Sequence, residues 1–363
     1  MKKLSFLVLA VAGMLFAACS SDKDAAEGPQ VPGEIIPDGY MALNIKLPTQ
    51  PLMRAVNDNF DDGLADEYKV SDCALLLFQG ADEATAKLIN AQAILLPFDA
   101  QVDDPDMDNI TTSYLATAKV KGYEKTTGNK LFALAVLNYK NLISIEASGM
   151  PKIAGTTLTT SSTIADVRAL TTNADLTSRS GAKNYFFMTN AVLSTAQGGA
   201  VGTAPAVADI FQLAEMDPTK IKETEAAAKA DPAGDIMVER AVAKATLAVT
   251  ATKVNGLDIK TTEWAIDNME PTSYLAHNPG DLSYIGYKSD GSTNYRFVGN
   301  VTTKGTTSLG SDKDAYRTYW GIDPQYDADA TGMVAATSFV PTGAANPLYC
   351  YENTFDVQRQ SFK

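Results

Sequence analysis

Gly39–Pro48 reads GYMALNIKLP, and the alternation within it decides the fold of this chain. Apolar side chains stand at every second position, at Met41, Leu43, Ile45 and Leu47. A period of two is typical of a β-strand that buries one face, and the proline at its end stops the strand because it cannot donate to a ladder. The stretch therefore predicts a buried strand near the start of the folded chain.

The loop after this strand carries one basic residue. Arg54 is the single lysine or arginine between Pro48 and Glu67, and Ala55 follows it at the start of an acidic segment. An exposed loop is a preferred site of proteolysis, so we interpret Arg54-Ala55 as a scissile bond whose cleavage would release residues 39–54. The alternative interpretation is an ordinary surface arginine, which most arginines are.

The first nineteen residues have the features of an export signal. A pair of lysines precedes the apolar segment Leu4–Phe16, and the small residues that follow end at Cys19. Residues 1–19 resemble a bacterial lipoprotein signal peptide with Cys19 as the lipidated N terminus, although an ordinary signal peptide with an incidental cysteine would begin in a similar way. Residues 20–38 are polar and contain proline and glycine, which predicts a flexible tether.

Composition narrows the class of protein. The chain has 363 residues, enough for two domains, and 45% of them are hydrophobic, as in globular proteins. It carries 43 acidic and 30 basic side chains, which give a formal net charge of −13. Affinity for a phosphate backbone depends on clustered cations, so we expect no nucleic-acid partner.

Strand signals dominate the rest of the chain. Short apolar runs bounded by turn residues predict the main strands at Val70–Phe78, Lys87–Leu96, Ser113–Val120, Lys130–Leu137, Tyr185–Met188 and Ile236–Val249. The predicted helices are brief, at Ile164–Leu170 and Glu223–Ala230. We therefore predict a mainly β fold with two β-sandwich domains in tandem, an N-terminal one at 39–232 and a C-terminal one at 233–363.

The sequence shows no catalytic, cofactor-binding or metal site, so we predict that the protein is not an enzyme and needs no cofactor. The single histidine, His277, lacks a flanking signature of nucleophilic catalysis. The acidic run Asp104–Asn109 begins like a calcium loop, but its sixth position is not glycine, and Leu115 stands where a bidentate glutamate would close the site. Cys73 and Cys350 lie far apart and form no disulfide framework.

Several segments in order along the chain carry a resemblance to one family. They are Met41–Pro48 with Arg54-Ala55 and Val70–Phe78 after it, Tyr185–Ala191 (YFFMTNA), Val238–Lys244 (VERAVAK) and Tyr349–Phe355 (YCYENTF). Together they resemble the fimbrillin family, the subunits of the short and long fimbriae (type V pili) of Bacteroidota. Within that family the chain is most similar to the shaft subunits of the short, or minor, fimbriae.

The resemblance implies a fold and a function. It implies two transthyretin-like β-sandwich domains, export to the outer membrane as a lipoprotein, and cleavage after Arg54 by an arginine-specific protease. The strand of Met41, Leu43, Ile45 and Leu47 would then be displaced. Other copies of the chain or accessory fimbrial subunits would supply a donor strand and build a cell-surface fimbrium for adhesion and biofilm formation. Relatives continue beyond the end of this sequence, so we expect the second domain to be incomplete.

Two alternatives remain open. Within the family, the chain would be an anchor or tip subunit, and an anchor would keep its first strand and its lipid. From a different class, it would be a surface lipoprotein that binds glycans, with Trp264 and Trp320 as platforms for sugar rings.

Overall fold

The fold is known from a computed structural model. It describes residues 34–35, 38–48, 70–94, 99–102, 110–139, 142–174, 176, 185–194, 210–249, 253–258, 263–267, 272–276, 283–284, 294–295, 299–300, 338–343, 345–351 and 361–362. Within these residues the protein is mainly β, as the density of strand signals predicted.

The strands are numbered here in chain order. Their bounds are β1 Glu34–Ile35, β2 Gly39–Pro48, β3 Cys73–Gly80, β4 Lys87–Ile94, β5 Asp99–Val102, β6 Ile110–Val120, β7 Glu124–Lys125, β8 Lys130–Leu137, β9 Ile143–Ile145, β10 Pro151–Ile153, β11 Thr156–Thr157, β12 Thr171–Thr172, β13 Met188–Asn190, β14 Leu193–Ser194, β15 Ile210–Phe211, β16 Ala214–Met216, β17 Asp235–Arg240, β18 Ala243–Ala245, β19 Lys253–Val254, β20 Leu257–Asp258, β21 Glu263–Trp264, β22 Ile266–Asp267, β23 Ser273–Tyr274, β24 Ser283–Tyr284, β25 Asn294–Tyr295, β26 Gly299–Asn300, β27 Val340–Pro341, β28 Leu348–Cys350 and β29 Ser361–Phe362. The helices are α1 Ile164–Arg168, a 3-10 helix at Pro218–Lys220 and α2 Glu225–Lys229. Both α-helices are slightly shorter than predicted.

Nine of the described strands form one hydrogen-bonded sheet that folds into two layers. Its order is β4-β3-β8-β13-β17-β2-β6-β5, and β16 pairs with β8 as well. β17 changes partner along its length, because Asp235–Met237 pair with β2 in parallel and Val238–Arg240 pair with β13 in antiparallel fashion. The sheet turns at this strand, so β2 and β6 in one layer pack against β3 and β8 in the other. The result is a β-sandwich.

The second layer is covered on both faces. Leu75 of β3 and Leu131 of β8 point into the core between the layers. Their neighbours Leu76 and Phe132 point to the other side, into a second core that includes Ile164 of α1. Since both faces are buried, these strands are continuous apolar runs.

A side-chain amide joins β4 of one layer to β6 of the other. Gln92 of β4 donates from Nε2 to the carbonyl oxygen of Lys119 at 2.7 Å, and its Oε1 accepts from the Lys119 N–H at 2.9 Å. Lys119 lies in β6, beyond the residues that β5 covers. The amide therefore takes the place of a neighbouring strand and leaves fewer free backbone groups along this edge.

The chain after β17 differs from the predicted single strand Ile236–Val249. β17 ends early, β18 covers Ala243–Ala245, and residues 246–249 are exposed and lie outside strands. Ala241 still donates its N–H to the carbonyl of Phe187 at 2.9 Å, on the side of β13, whereas β18 pairs with β28. The prediction of one long strand was wrong because the segment changes partners midway.

β17 also bears on the predicted organisation into domains. Its residues follow the predicted boundary at 232/233, yet they pair with β2 and β13 of the first sandwich. β17 therefore belongs to the first sandwich, and the division into two domains stays a prediction.

The remaining sheets are small, and their pairings are β1-β7, β11-β10-β9, β12-β23, β15-β14-β26, β18-β28, β19-β20, β21-β27, β22-β29 and β24-β25.

Candidate functional site

β2 is a central strand with a neighbour on each side. β6 pairs with it in antiparallel fashion over all ten of its residues. On the other side β2 pairs in parallel with the first half of β17, and the Ala233 N–H donates to the Ala42 carbonyl at 2.7 Å. Removal of β2 would therefore take one neighbouring strand away from β6 and one from the first half of β17.

The inner face of β2 is fully buried. Met41, Leu43, Ile45 and Leu47 are each 0% exposed and pack in the core between the layers. Burial of one such side chain contributes about 1.5–3 kcal/mol of hydrophobic stabilisation, and the set about 6–12 kcal/mol. The burial is what the alternation predicts, while displacement of this strand stays a prediction.

The outer face of β2 is also covered, which the prediction of one buried face missed. Helix α2 packs against this face, and its Ala228 is fully buried. Ala42 and Lys46 of β2 are buried too. Glu225, in the first turn of α2, accepts a hydrogen bond from the Thr117 hydroxyl at 2.9 Å, so the helix also contacts β6. The sequence predicted the helix but gave no sign of where it would pack.

Three polar side chains on the outer face join β2 to β17, and we call them the Asp235 cluster. Asn44 Nδ2 donates to Asp235 Oδ1 at 2.8 Å, and Lys46 Nζ lies 2.8 Å from Asp235 Oδ2. Each carboxylate oxygen thus binds one side chain of β2. The Lys46 side chain is 6% exposed and that of Asp235 24% exposed, so this ion pair is less screened by water than a surface pair.

Asn190 completes the hydrogen bonding of β8 in the other layer. β16 pairs with the first residues of β8 and β13 with the last ones. Between them, the Asn190 side chain accepts from the Ala135 N–H at 2.8 Å and donates to the carbonyls of Ala133 and Gln212, both at 2.9 Å. The Thr189 hydroxyl donates to the Ala135 carbonyl at 2.8 Å. Side chains thus bind backbone groups that no strand covers.

A largely buried ion pair ties α1 to the same sandwich. Arg168 pairs with Glu83 in the turn after β3, and Arg168 Nε donates to Gln212 Oε1 at 2.9 Å. Glu83 Oε2 accepts from the backbone N–H groups of Gln212 and Leu213 at 2.8 and 2.9 Å. Burial lowers the pKa of Arg168 and the Glu83 carboxylate opposes this shift, so the guanidinium stays charged.

Cys73 and Cys350 are buried in separate cores and form no disulfide. Cys73 belongs to the same core as the inner residues of β2, and Cys350 belongs to the small core of Trp264 and Ile266. Burial, with a smaller contribution from Asp72, raises the pKa of the Cys73 thiol well above its usual value. Little thiolate therefore forms there, which makes the thiol unreactive while it stays buried.

Trp264 does not form the sugar platform of the glycan-binding alternative. Its side chain is 1% exposed and fills the small core beside Cys350, so no face of the ring is open to a ligand.

Several other predicted sites lie outside the described residues, namely the signal peptide 1–19 with Cys19, the bond Arg54-Ala55, the run Asp104–Asn109, His277 and Trp320.

The part of the chain that the structure describes contains no group of three or more histidine, cysteine, aspartate or glutamate side chains placed to hold a metal ion. Among the same residues, no helix has the length and apolar character needed to span a bilayer.

Comparisons with known proteins gave matches among solved structures. No protein-family model matches the chain, and no curated protein matches it in sequence. The chain is similar to a fimbrial assembly protein from Parabacteroides distasonis, known from a crystal structure. The two share 11% sequence identity with a TM-score of 0.36, over 87% of this chain and 89% of the other. A similarity of this size supports no functional argument.

Proposed function

We propose that this chain is the structural shaft subunit of a cell-surface fimbrium, which is exported as a lipoprotein, cleaved after Arg54 and polymerised by strand exchange. The observation that carries the proposal is β2, a central strand buried on both faces that precedes the segment containing Arg54. The fimbrillin-like segments of the sequence support the same function, because they are spread over nearly the whole chain.

Cleavage after Arg54 would leave β2 held by noncovalent contacts alone. The hydrophobic contribution of its inner face, about 6–12 kcal/mol, is similar to the whole net stability of a typical domain, about 5–15 kcal/mol. Departure of β2 would open an apolar groove and remove ladder bonds from β6 and β17. A strand from another subunit would restore both, and repeated donation would extend a head-to-tail fibre.

The same cleavage would control where the subunit is. Before it, the lipid on Cys19 would hold the precursor at the outer membrane. After it, residues 19–54 would stay behind, and the subunit would join other copies and accessory subunits in the growing fimbrium. The partners of this cycle are therefore an arginine-specific protease, the outer membrane and further fimbrial subunits, and the fibre would support adhesion and biofilm formation.

N-terminal sequencing of protein taken from fibres tests the proposal. We expect the sequence to begin at Ala55, whereas a start at Cys19 in assembled fibres would contradict cleavage and favour an anchor subunit. An unboiled surface extract should give a ladder of high-mass species on a gel. A single band would instead favour a monomeric surface lipoprotein.

A further inference from the structure

The carboxylate of Asp235 depends on β2 for its polar contacts. Asn44 Nδ2 and Lys46 Nζ each lie 2.8 Å from one of its oxygens, and both belong to β2. β17 itself is anchored independently, because Val238–Arg240 pair with β13 in the other layer. If β2 left, Asp235 would therefore stay in place beside the groove and lose both contacts.

We propose that Asp235 selects the strand that replaces β2. The selected strand comes from another subunit and runs parallel to β17. Its aliphatic residues alternate as in β2, and on its opposite face it carries an amide donor followed two residues later by a lysine or arginine. This inference rests on the proposed function, and it adds the chemistry by which the groove recognises its partner.

The Asp235 cluster supplies a register that the apolar groove lacks. Alternating aliphatic residues repeat every second position, so a shift of two residues returns aliphatic side chains to the core. The same shift moves Asn44 and Lys46 by roughly 7 Å along the strand, so the two side chains cannot both keep their contacts with the carboxylate. Since Asn44 stands opposite Asp235 in the parallel ladder, the carboxylate marks one position along the groove.

The location of the cluster makes a mismatch costly. Asp235 is largely shielded from solvent and Lys46 is buried, so a strand without a cation would leave a partly desolvated carboxylate without a counter-ion. An acidic residue at that position would add repulsion. Loss of one partner from such a pair acts mainly on dissociation, and discrimination then follows from the difference between matched and mismatched strands.

Peptide exchange tests this selection. The full chain is purified as the uncleaved precursor and cut with an arginine-specific protease, and entry of fluorescent peptides with the sequence of Asp38–Pro48 is followed by anisotropy. We expect the unchanged peptide to enter and a Lys46→Glu peptide to bind about tenfold more weakly or worse. Protein carrying Asp235→Lys should reverse this preference. Asp231→Asn is the matched control, because Asp231 pairs with Lys220 and Lys222 and not with β2.

The outcomes separate this inference from the proposed function. Equal binding of the unchanged and Lys46→Glu peptides would overturn the role of Asp235 and leave strand exchange intact. Failure of every peptide to enter folded, cleaved protein would contradict strand exchange itself, and with it the inference. If Asp235→Lys does not fold by circular dichroism, the two peptides on unmutated protein still decide the question.

Discussion

Side-chain amides bind the backbone of this sandwich at positions where a neighbouring strand is missing. Asn190 does so for β8 and Gln92 for β6. The sequence marked Asn190 only as part of the segment YFFMTNA. Its role was not predictable, since the Ala135 N–H that it accepts from lies 55 positions away and the gap in the ladder exists only once β13 and β16 have both paired with β8.

Truncation of Asn190 should therefore cost stability. We expect Asn190→Ala to lower the free energy of unfolding by about 2–4 kcal/mol, because one buried N–H and two carbonyls lose a partner. Urea denaturation of the purified chain measures the change. Asn129→Ala is the control: it removes a single exposed side-chain bond to the Glu124 carbonyl at 3.3 Å and should cost less than about 1 kcal/mol. Similar losses in the two variants would show that the amide of Asn190 has no special role.

At the scale of the element, local pattern predicted one face of β2 and missed the other. The alternation of apolar residues is enough to place the inner face in a core. Burial of the outer face depends on α2, which lies about 180 positions later in the sequence. The same limit explains the segment after Asp235, where β17 and β18 pair with different strands although only Ala241 and Val242 separate them. Period and propensity do not encode a change of partner.

A charge on the inner face of β2 should prevent the precursor from folding well. We expect Leu43→Asp or Ile45→Asp to lower the free energy of unfolding by several kcal/mol, roughly 3–5, because an unpaired carboxylate would enter an apolar core. Melting temperature and solubility of the precursor report the loss. Ala93→Asp, at an exposed position of β4, should leave both nearly unchanged. An unchanged melting temperature in the β2 variants would contradict the burial of this face.

At the scale of the whole molecule, the sequence predicted the mainly β class but not the order of the sheet. Frequent turn residues and short apolar runs are enough to predict the class. The order rests on the parallel pairing of β2 with β17, and the bond from Asn44 to Asp235 joins positions 191 apart. No local signal specifies such a contact, because it forms only after the strands between have taken their places.

Loss of Arg54, the basic residue in the segment after β2, should stop assembly of the subunit into fibres. We expect Arg54→Ala to give a membrane-held precursor without polymer, since the proposed protease would have no arginine to recognise there. Immunoblots of membrane and surface fractions, with boiled and unboiled samples side by side, measure this. Arg54→Lys keeps the positive charge and should also fail with an arginine-specific enzyme. Normal ladders from Arg54→Ala would place the processing site elsewhere or remove it from the mechanism.

The burial of Cys73 in the core to which the inner face of β2 belongs makes this thiol a reporter of strand departure. A maleimide can reach it only when the core between the layers opens, while Cys350 in its separate core serves as an internal reference. In the uncleaved chain we expect labelling of Cys73 to be slow, since its protonated thiol is both hidden and a poor nucleophile. Cleavage after Arg54 should accelerate labelling of Cys73, and a bound replacement strand should slow it again. Mass spectrometry of the labelled peptides would then give the fraction of subunits whose groove has no strand in it, without a probe on the strand itself.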